Sequence, residues 1–512
     1  MQATFRLPKD WDDRSLRGTV GDDFDADRPR TVRFLFLDTH DWRIASAGAR
    51  LTEETADGRQ ALRFVDAGGE PSQVLPLNRS VRFVRELPES VLRARLENLV
   101  DIRALLPVGE CLVERQCGRL RSAAGDTAAL LTLEAATILD SSGRPAGEPV
   151  SRIDVLGLPG FDAIVGGVIE KLRAVAVASD DAGGLMELAV AARGRRVGDY
   201  SSKLKLALER GQSANSAVRS ILHTLLDILR ANVDGVIADH DTEFLHDFRV
   251  ATRRTRAALG QLKGVLPDAE VEAFREEFRW LGSLTNPCRD LDVYLLEMDD
   301  FRSMIGASAA ALAPLQDLLM KERAAALRKV RVALRSRRFQ RLLDEWQEFL
   351  EAPTADASSL PDAARPVSEL SSQKIWKAYR RMRRHGIALD QNAPVADLHR
   401  LRILGKKLRY LLEFFRSLYD EVEIEPLVEQ LKLLQDILGG INDVRVQQHR
   451  LLELAHRNEL AGQVDTLLAM GRLSGALQQR QDVLRGELAI AFPSFAGAEG
   501  RARYRSLFGG GE

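Results

Sequence analysis

The chain divides into two parts by the spacing of its apolar residues. Up to about residue 200, short runs of β-branched and aromatic residues are separated by Gly-, Asp- and Pro-containing turns, which is typical of antiparallel strands. Strands are predicted at 31–37, 60–65, 80–85, 112–116, 130–139 and 151–156, and helices near 89–103 and 162–177. Many short strands at this spacing indicate a sandwich or barrel.

From about residue 205 the apolar residues recur every three or four positions, which predicts helices. Helical segments are predicted near 214–232, 241–263, 270–282, 290–300, 311–351, 369–388, 395–419, 425–438, 442–458 and 461–488. A polar, Pro-containing stretch at 352–366 divides them into two halves. The predicted fold class is therefore α+β multidomain, with an N-terminal antiparallel β-barrel followed by an all-α domain of two helical bundles.

Two of the predicted helices carry the same basic motif. It runs from His246 to Arg256 and again from His399 to Arg409, with basic residues three, seven, eight and ten positions after each histidine. Offsets of zero, three, seven and ten lie on one face of a helix, so each copy predicts a basic stripe. The opposite faces are apolar and comprise Phe244, Phe248, Ala251, Ala258 and Leu262 in the first copy and Leu401, Leu404, Leu408, Leu411 and Phe415 in the second.

A constant offset separates the two copies. The histidines differ by 399 − 246 = 153 positions, and the same offset without a gap relates Leu281 to Leu434 and Asp290 to Asp443. The two halves are therefore predicted to be repeats. Each aspartate is expected at the start of a helix, as a cap or as a partner that orients the arginines.

Length and composition narrow the class of protein. At 512 residues the chain is too long for one core, so two or three domains are expected. The net charge of −1 does not indicate a charged partner, so the argument depends on local segregation of charge. The cysteines, Cys111, Cys117 and Cys288, form no metal-ligand pattern, and an odd number in a long chain argues against a disulfide scaffold. Because a signal-peptide pattern is absent and no apolar stretch approaches the roughly 20 residues that span a bilayer, a cytoplasmic protein without membrane contact is predicted.

The paired motifs resemble the CHAD family, the conserved-histidine α-helical domains, over roughly 205 to 490. Arg289-Asp-Leu-Asp-Val293 and Asn442-Asp-Val-Arg-Val446 support this resemblance, and the doubled motif at fixed spacing makes it specific. The resemblance implies two pseudo-symmetric helical bundles around a shared positive cavity, binding of inorganic polyphosphate, and association with polyphosphate granules. The binding residues that it implies are His246, Arg249, Arg253, Arg254, Arg256, His399, Arg402, Lys406, Lys407 and Arg409. Two further basic stretches, 328–338 and 374–384, lie where such domains are often basic.

The N-terminal part resembles the CYTH, or triphosphate tunnel, fold. Phe36-Leu-Asp-Thr-His-Asp-Trp-Arg-Ile-Ala-Ser-Ala-Gly48 and Ser201-Ser-Lys-Leu-Lys205 are similar to family signatures and imply a tunnel-like barrel. The family's first strand carries Glu-x-Glu-x-Lys, whose glutamates hold a divalent metal, whereas this chain has Gln2-Ala-Thr-Phe-Arg6. We therefore predict no catalytic residues, no metal ligands, no cofactor and no enzymatic activity. Six strand arginines either line the barrel or lie on its exposed face: Arg33, Arg63, Arg82, Arg85, Arg115 and Arg152.

These observations give a domain plan. The predicted CYTH-like domain covers 1–204, the first helical repeat 205–351, the linker 352–366, the second repeat 367–490 and a C-terminal tail 491–512.

The chemistry of the basic helices favours a polyanion without bases. Polyphosphate repeats a negative charge every few ångströms and requires a dense array of cations, which arginine forks and lysine ammonium groups provide. The alternative without a binding role is a solvated helix face whose basic residues pair with neighbouring acids. Residues 399–410, however, contain no acidic residue. For each histidine, a structural hydrogen bond and a ligand contact both stay open. Inorganic polyphosphate is the expected partner, bound without catalysis, and the sequence does not indicate an oligomeric state.

Three other functions each have their own requirements in the sequence. A triphosphatase or polyphosphate hydrolase in the N-terminal domain needs clustered carboxylates and a divalent metal. A nucleic-acid-binding protein needs aromatic residues among the cations, where only Tyr410 is found, so nucleic acid is not the expected partner. Metal binding by histidine needs the two copies to meet, because neither motif histidine has a histidine three or four positions later.

Overall fold

A computed structural model describes residues 2–8, 13–21, 24–66, 73–178, 184–352, 360–390 and 393–509. The chain forms two compact units, Met1–Ser201 and Ser202–Glu512. The first is built on a sheet and the second on helices. This order confirms the predicted α+β class.

The first unit is one antiparallel sheet. Its strands are β1 (Gln2–Arg6), β2 (Phe24–Ala26), β3 (Arg30–Asp38), β4 (Arg50–Ala56), β5 (Arg59–Val65), β6 (Gln73–Leu77), β7 (Leu106–Arg121), β8 (Thr127–Leu139), β9 (Val150–Gly157) and β10 (Val177–Ala178). Their order is β10-β1-β9-β8-β7-β3-β4-β5-β6, with β2 also paired to β7. The sheet is antiparallel as predicted, and among the described strands no pairing joins β6 to β10.

Five helices accompany the sheet. They are α1 (Asp13–Val20), α2 (Arg43–Ser46), α3 (Val91–Val100), α4 (Asp162–Val175) and α5 (Gly184–Ala191). The predicted helices near 89–103 and 162–177 correspond to α3 and α4. The apolar side of α5 packs on strands β3, β7 and β8, in a cluster that includes Phe34, Val113 and Met186.

The strand predicted at 80–85 is wrong. This segment is a turn with a 3₁₀ helix at Val84–Glu86. Val81, Val84 and Leu87 are buried in one cluster. Their spacing of three matches the 3₁₀ repeat and not the two-residue alternation of a strand.

The second unit contains eleven described helices. They are α6 (Ala214–Ala238), α7 (Thr242–Gln261), α8 (Asp268–Leu296), α9 (Met298–Ile305), α10 (Ala313–Leu334), α11 (Arg337–Glu351), α12 (Val367–Ile387), α13 (Val395–Phe415), α14 (Glu421–Ala455), α15 (Val464–Ala496) and α16 (Ala498–Phe508). In the first half α7 packs against α6 and α8, and in the second half α13 packs against α12 and α14. The motif helices α7 and α13 also contact each other.

The apolar faces of both motif helices are buried as predicted. Phe248 and Leu408 are both 0% exposed, and the other eight apolar positions named for these faces are buried as well. Asp241 caps α7, because its side chain accepts hydrogen bonds from the backbone N–H groups of Glu243 and Phe244 at 2.8 and 3.2 Å. Burial of the apolar face leaves the basic stripe of each helix to face outward or toward the other repeat.

The prediction that Asp290 and Asp443 begin helices is wrong. Both lie inside the long helices α8 and α14, which continue through Pro287 and through the glycine pair at 439–440. The helices continue because their apolar faces do. Buried residues recur at helical spacing across both predicted breaks.

The predicted C-terminal tail holds the end of α15 and all of α16. Tyr504 on α16 is 0% exposed and stacks on Tyr379 of α12, with ring centroids 4.0 Å apart. This helix therefore closes the second bundle. Residues 353–359 of the predicted linker and 510–512 of the predicted tail lie outside the described residues.

One stretch differs from the expectation about apolar length. By length and composition alone, Met298–Leu334 is apolar enough to cross a membrane. Leu312, Leu315 and Leu319 within it are 0% exposed and pack in the core shared by the two repeats.

Candidate functional site

Equivalent residues of the two repeats meet each other. Tyr294 donates its hydroxyl hydrogen bond to the carbonyl of Gln447 at 2.9 Å, and 447 − 294 = 153. Asp290 on α8 and Asp443 on α14 are also counterparts, since 443 − 290 = 153, and they interact electrostatically across the seam between these two helices. Since a residue contacts its own counterpart only near a two-fold axis, these pairs place a local two-fold axis between α8 and α14. The helical domain is therefore pseudo-symmetric, as predicted.

A cleft lies between the motif helices. It has a volume of about 460 Å³ and is formed by α7, α8 and α13. Six cationic side chains line it: Arg253, Arg256, Arg275, Arg279, Lys406 and Lys407. The remaining lining is Ala257, Gly260, Gln261, Ile403 and Tyr410, so no carboxylate lines the cleft among the described residues. We call this surface the cationic cleft.

Four of the ten predicted binding residues line the cationic cleft. They are Arg253 and Arg256 on α7 and Lys406 and Lys407 on α13. Arg253, Arg256 and Lys407 are exposed and Lys406 is half-buried. Within the described residues, none of the four forms an ion pair with a carboxylate. Their positive charge is therefore available to an anion.

Arg254 and Arg409 do not line the cleft. Arg254 donates to Glu413 at 2.8 and 3.0 Å and to the carbonyl of Ser202 at 3.2 Å. Arg409 donates to the same Glu413 at 2.6 Å. The stripe in the second copy is poor in acids up to residue 410, but Glu413 lies one turn beyond Arg409 and neutralises both arginines. We call the pair Arg254–Glu413 the clamp, because it joins the two motif helices.

The clamp predicts opposite effects of two neighbouring substitutions, one on stability and the other on anion binding. Arg254→Ala should lower the free energy of unfolding by about 2 kcal/mol, because it removes charge-assisted hydrogen bonds from a half-buried carboxylate. Arg253→Ala should leave stability unchanged and weaken anion binding more than Arg254→Ala does. Urea unfolding and a binding titration on both variants measure the two effects. If Arg254→Ala weakened anion binding more than Arg253→Ala and left stability unchanged, Arg254 would belong to the binding surface.

Arg249 and Arg402 point toward the seam between α8 and α14. Arg249 donates to Thr285 Oγ1 at 2.9 Å, and burial with the nearby Arg253 charge lowers the pKa of Arg249 to about 10. Arg402 lies 3.8 Å from Asp443. Of the two roles considered for the aspartates, Asp443 is thus placed to orient an arginine.

The two motif histidines lie outside the cleft lining. His399 Nδ1 is 2.7 Å from Asn442 Oδ1, a contact that the Nδ1–H tautomer satisfies. His246 is half-buried on α7. For His399 the geometry favours the structural hydrogen bond over ligand contact.

Lys406 is the titratable group of the cleft. Burial and the charges of Arg402 and Arg253 lower the pKa of Lys406 to about 7, against the opposing charge of Asp443. The lysine therefore changes its charge within the physiological pH range.

No sequence pattern marks Arg275 and Arg279, which also line the cleft. Both lie on α8 and pair with Glu272 and Glu276, one turn earlier. An alternating acidic and basic helix face is typical of a solvated surface, so no charge pattern marked these arginines. Only the packing of α8 beside α7 brings them to the cleft.

The two further basic stretches do not line the cleft. Arg331 donates to the carbonyl of Ile237 at 2.7 Å, and Arg338 pairs with Glu277 at 3.0 Å. In the stretch on α12, Arg383 donates to the carbonyl of Ala496 at 2.6 Å. These arginines hold helices together.

The N-terminal sheet carries a ladder of alternating charges. Arg152 pairs with Glu134, Arg115 reaches both Glu134 and Glu54 at 2.6 and 3.2 Å, and Arg63 pairs with Glu54 at 2.5 Å. Three of the six strand arginines therefore share one face and neutralise Glu134 and Glu54.

Other charged residues of this unit have different partners. Arg33 pairs with Glu110 at 2.7 Å, and Arg82 and Arg85 lie over the ring of Phe83. In the first strand Thr4 donates to Asp154 at 2.7 Å. Across the described part of the chain, no group of three or more His, Cys, Asp or Glu side chains is arranged to hold a metal ion.

Comparisons with known proteins agree with the helical part. Residues 220–452 match the family model described as "CHAD domain", which confirms the predicted family for this region. The crystal structure of the CHAD domain from the plant Ricinus communis is 27% identical and covers 56% of this chain and 94% of its own, with a TM-score of 0.49.

Two further similarities were found. The Mycobacterium tuberculosis protein MT2285 (strain CDC 1551 / Oshkosh) is 26% identical over 223 residues, which are 43% of this chain and 42% of that protein. The chain thus spans less than half the length of this curated relative. The crystal structure of bh2851 from Bacillus halodurans is 14% identical and covers 35% of this chain and 93% of its own, with a TM-score of 0.24.

Proposed function

We propose that the CHAD domain of this chain, residues 220–452, binds inorganic polyphosphate in the cationic cleft and does so without catalysis. Through this binding the protein would be targeted to polyphosphate granules or act there as a scaffold. The observation that carries the proposal is a cleft lined by six cations from three helices and by no carboxylate among the described residues.

The cleft suits an anion that repeats its charge. The cations come from α7, α8 and α13, so an extended chain of phosphates can contact cations of all three helices. Arginine supplies forked donors to two phosphate oxygens, and lysine supplies a mobile ammonium group. Each cation neutralised by the ligand releases counterions, which gives affinity that falls as salt rises.

The shortage of aromatic residues in the cleft lining argues against a nucleic-acid ligand. Tyr410 is the one aromatic residue of the lining within the described chain, and its ring is stacked near Phe414 with centroids 6.3 Å apart. Single-stranded nucleic acids need a series of aromatic faces for their bases. A ligand made only of phosphates matches the cleft better.

Competition between two polyanions tests this selectivity. Long-chain polyphosphate and single-stranded DNA of equal total charge are titrated against the full chain carrying a fluorescent polyphosphate tracer. Polyphosphate should displace the tracer at a concentration about tenfold or more below that of DNA. Single-stranded DNA gains about 1–3 kcal/mol from each base that stacks on an aromatic side chain, and the cleft lacks the series of aromatic side chains that would supply this energy. Equal displacement would mean that the cleft reads charge alone and would contradict the proposal.

The affinity should depend on pH through Lys406. Because its pKa is about 7, its positive charge is complete well below neutral pH and is lost well above it. Polyphosphate affinity should therefore fall about tenfold as the pH rises from about 6 to about 8, since one charge-assisted contact is lost. In Lys406→Arg this fall should disappear, because arginine stays charged. If the affinity of Lys406→Arg fell with pH as steeply as that of the parent, the titration would belong to another group.

A further inference from the structure

Lys406 combines a primary amine with a phosphate-binding surface. The side chain lines the cationic cleft and is half-buried. Within the described residues it forms no hydrogen bond or ion pair, so no acceptor engages its amine. The amine thus belongs to a side chain that lines the cleft and has no hydrogen-bond acceptor among the described residues.

The charges that face this amine come from three helices. Arg402 and Arg409 belong to its own helix α13, Arg253 lies on α7, and Asp443 lies on α14. Partial burial and the three cations lower the pKa of Lys406 to about 7, and the carboxylate of Asp443 opposes this shift. A larger fraction of this amine is uncharged at neutral pH than of an ordinary lysine, which is almost entirely protonated there. Only the uncharged amine is a nucleophile.

We propose that Lys406 is an acylation site whose acyl donors are acyl phosphates. The cleft arginines bind the phosphate group of the donor and hold its carbonyl carbon beside the amine. The amine nitrogen attacks this carbon, the carbon–oxygen bond to phosphate breaks, inorganic phosphate leaves, and the amine proton passes to water. The products are an amide on Lys406 and free phosphate, so the step needs no further reagent.

Acylation would switch the cleft off. The amide carries no charge, so the cleft loses one of its six cations and becomes crowded by the acyl group. This consequence rests on the proposed polyphosphate function, because polyphosphate and acyl phosphate would compete for the same arginines. Bound polyphosphate should therefore protect Lys406 from acylation.

Site-resolved acylation of the full chain tests the proposal. The protein is incubated with acetyl phosphate over a range of pH, and acetylation of individual lysines is measured by peptide mass spectrometry. Lys406 should react about tenfold or more faster than the exposed Lys432, with a rate that levels off above about pH 7. Equal rates at Lys406 and Lys432, or a rate at Lys406 that still rises through about pH 10, would overturn the proposal.

A matched pair of acyl donors isolates phosphate recognition. In Arg275→Ala, acetylation of Lys406 by acetyl phosphate should fall several-fold, whereas acetylation by the uncharged N-hydroxysuccinimide acetate should be unchanged. Equal losses with both donors would show that the arginines do not bind the donor.

A polyphosphate titration on the same samples separates the two hypotheses. Failure to bind polyphosphate with fast acylation of Lys406 would remove the proposed function and leave the acylation site. Tight polyphosphate binding without preferential acylation would remove the acylation site alone.

Discussion

Replacing Arg253 and Lys406 together by alanine is expected to weaken polyphosphate binding at least about 100-fold. The two residues are repeat counterparts, since 406 − 253 = 153, and both line the cationic cleft. Each charge-assisted contact to a phosphate oxygen contributes about 1.5–3 kcal/mol, so losing two costs about 3 kcal/mol or more. Equilibrium titration with long-chain polyphosphate at low salt measures the loss.

A matched control separates this site from general charge. Arg328→Ala with Lys329→Ala also removes one arginine and one lysine, both exposed on α10 and outside the cleft lining. This control should change the affinity less than about threefold, which reflects only the screened long-range field. Since neither Arg253 nor Lys406 forms a hydrogen bond with a described residue, urea unfolding of the cleft variant should match that of the parent. Equal losses of affinity in both double variants would dismiss the cleft as the site.

Arg323→Met is expected to destabilise the helical domain by about 3–5 kcal/mol, the cost of leaving a buried charge without its partner. Arg323 on α10 donates to Asp292 at 2.7 Å and to both carboxylate oxygens of Asp239 at 2.6 and 2.7 Å. The Asp292 side chain is 0% exposed, whereas that of Asp239 is 29% exposed. The unsatisfied carboxylate of Asp292 therefore dominates the effect, which urea unfolding measures.

Two controls accompany Arg323→Met. Arg328→Met, on the exposed side of the same helix, should change stability by less than about 0.5 kcal/mol. Adding Asp292→Leu to Arg323→Met should recover most of the loss, because the buried charge is removed along with its partner. If the double variant is as unstable as the single one, packing of the arginine stem and not the charge accounts for the loss.

The pH dependence of Arg323→Met follows from the same carboxylate. Burial raises the pKa of Asp292 above its ordinary value while Arg323 opposes the rise, so removing Arg323 should raise it further. A raised native pKa means that the folded state binds the proton more tightly, and its stabilising effect is lost as the pH rises through that pKa. The destabilisation should therefore be smaller at about pH 5 than at about pH 7.5. A loss that does not depend on pH would contradict this reading.

The sequence predicted the repeat, the motif helices and their buried faces because these depend on local spacing. An offset of 153 residues and an apolar face such as Phe248 or Leu408 can be read directly from the chain. The helix breaks near residues 287 and 439–440 were predicted wrongly, because Pro and Gly disfavour a helix locally while tertiary packing of the apolar face maintains it. Packing outweighed local propensity there.

The candidate site could be predicted only in part. The helical spacing of the basic stripes identified Arg253, Arg256 and Lys406. It did not show which basic residues are neutralised by packing partners such as Glu413. It also missed Arg275 and Arg279, which belong to a helix with balanced charge. Which cations stay free depends on contacts between helices that are far apart in the sequence.

The central claim is that both repeats contribute cations to one polyphosphate site. Its most direct test is the affinity of the full chain for long-chain polyphosphate at salt concentrations from about 50 to about 500 mM. With four to six cations engaged, the logarithm of the association constant should fall linearly with the logarithm of salt, with a slope on the order of −3 to −5. No binding at the lowest salt concentration, or an affinity that does not change with salt, would contradict the account.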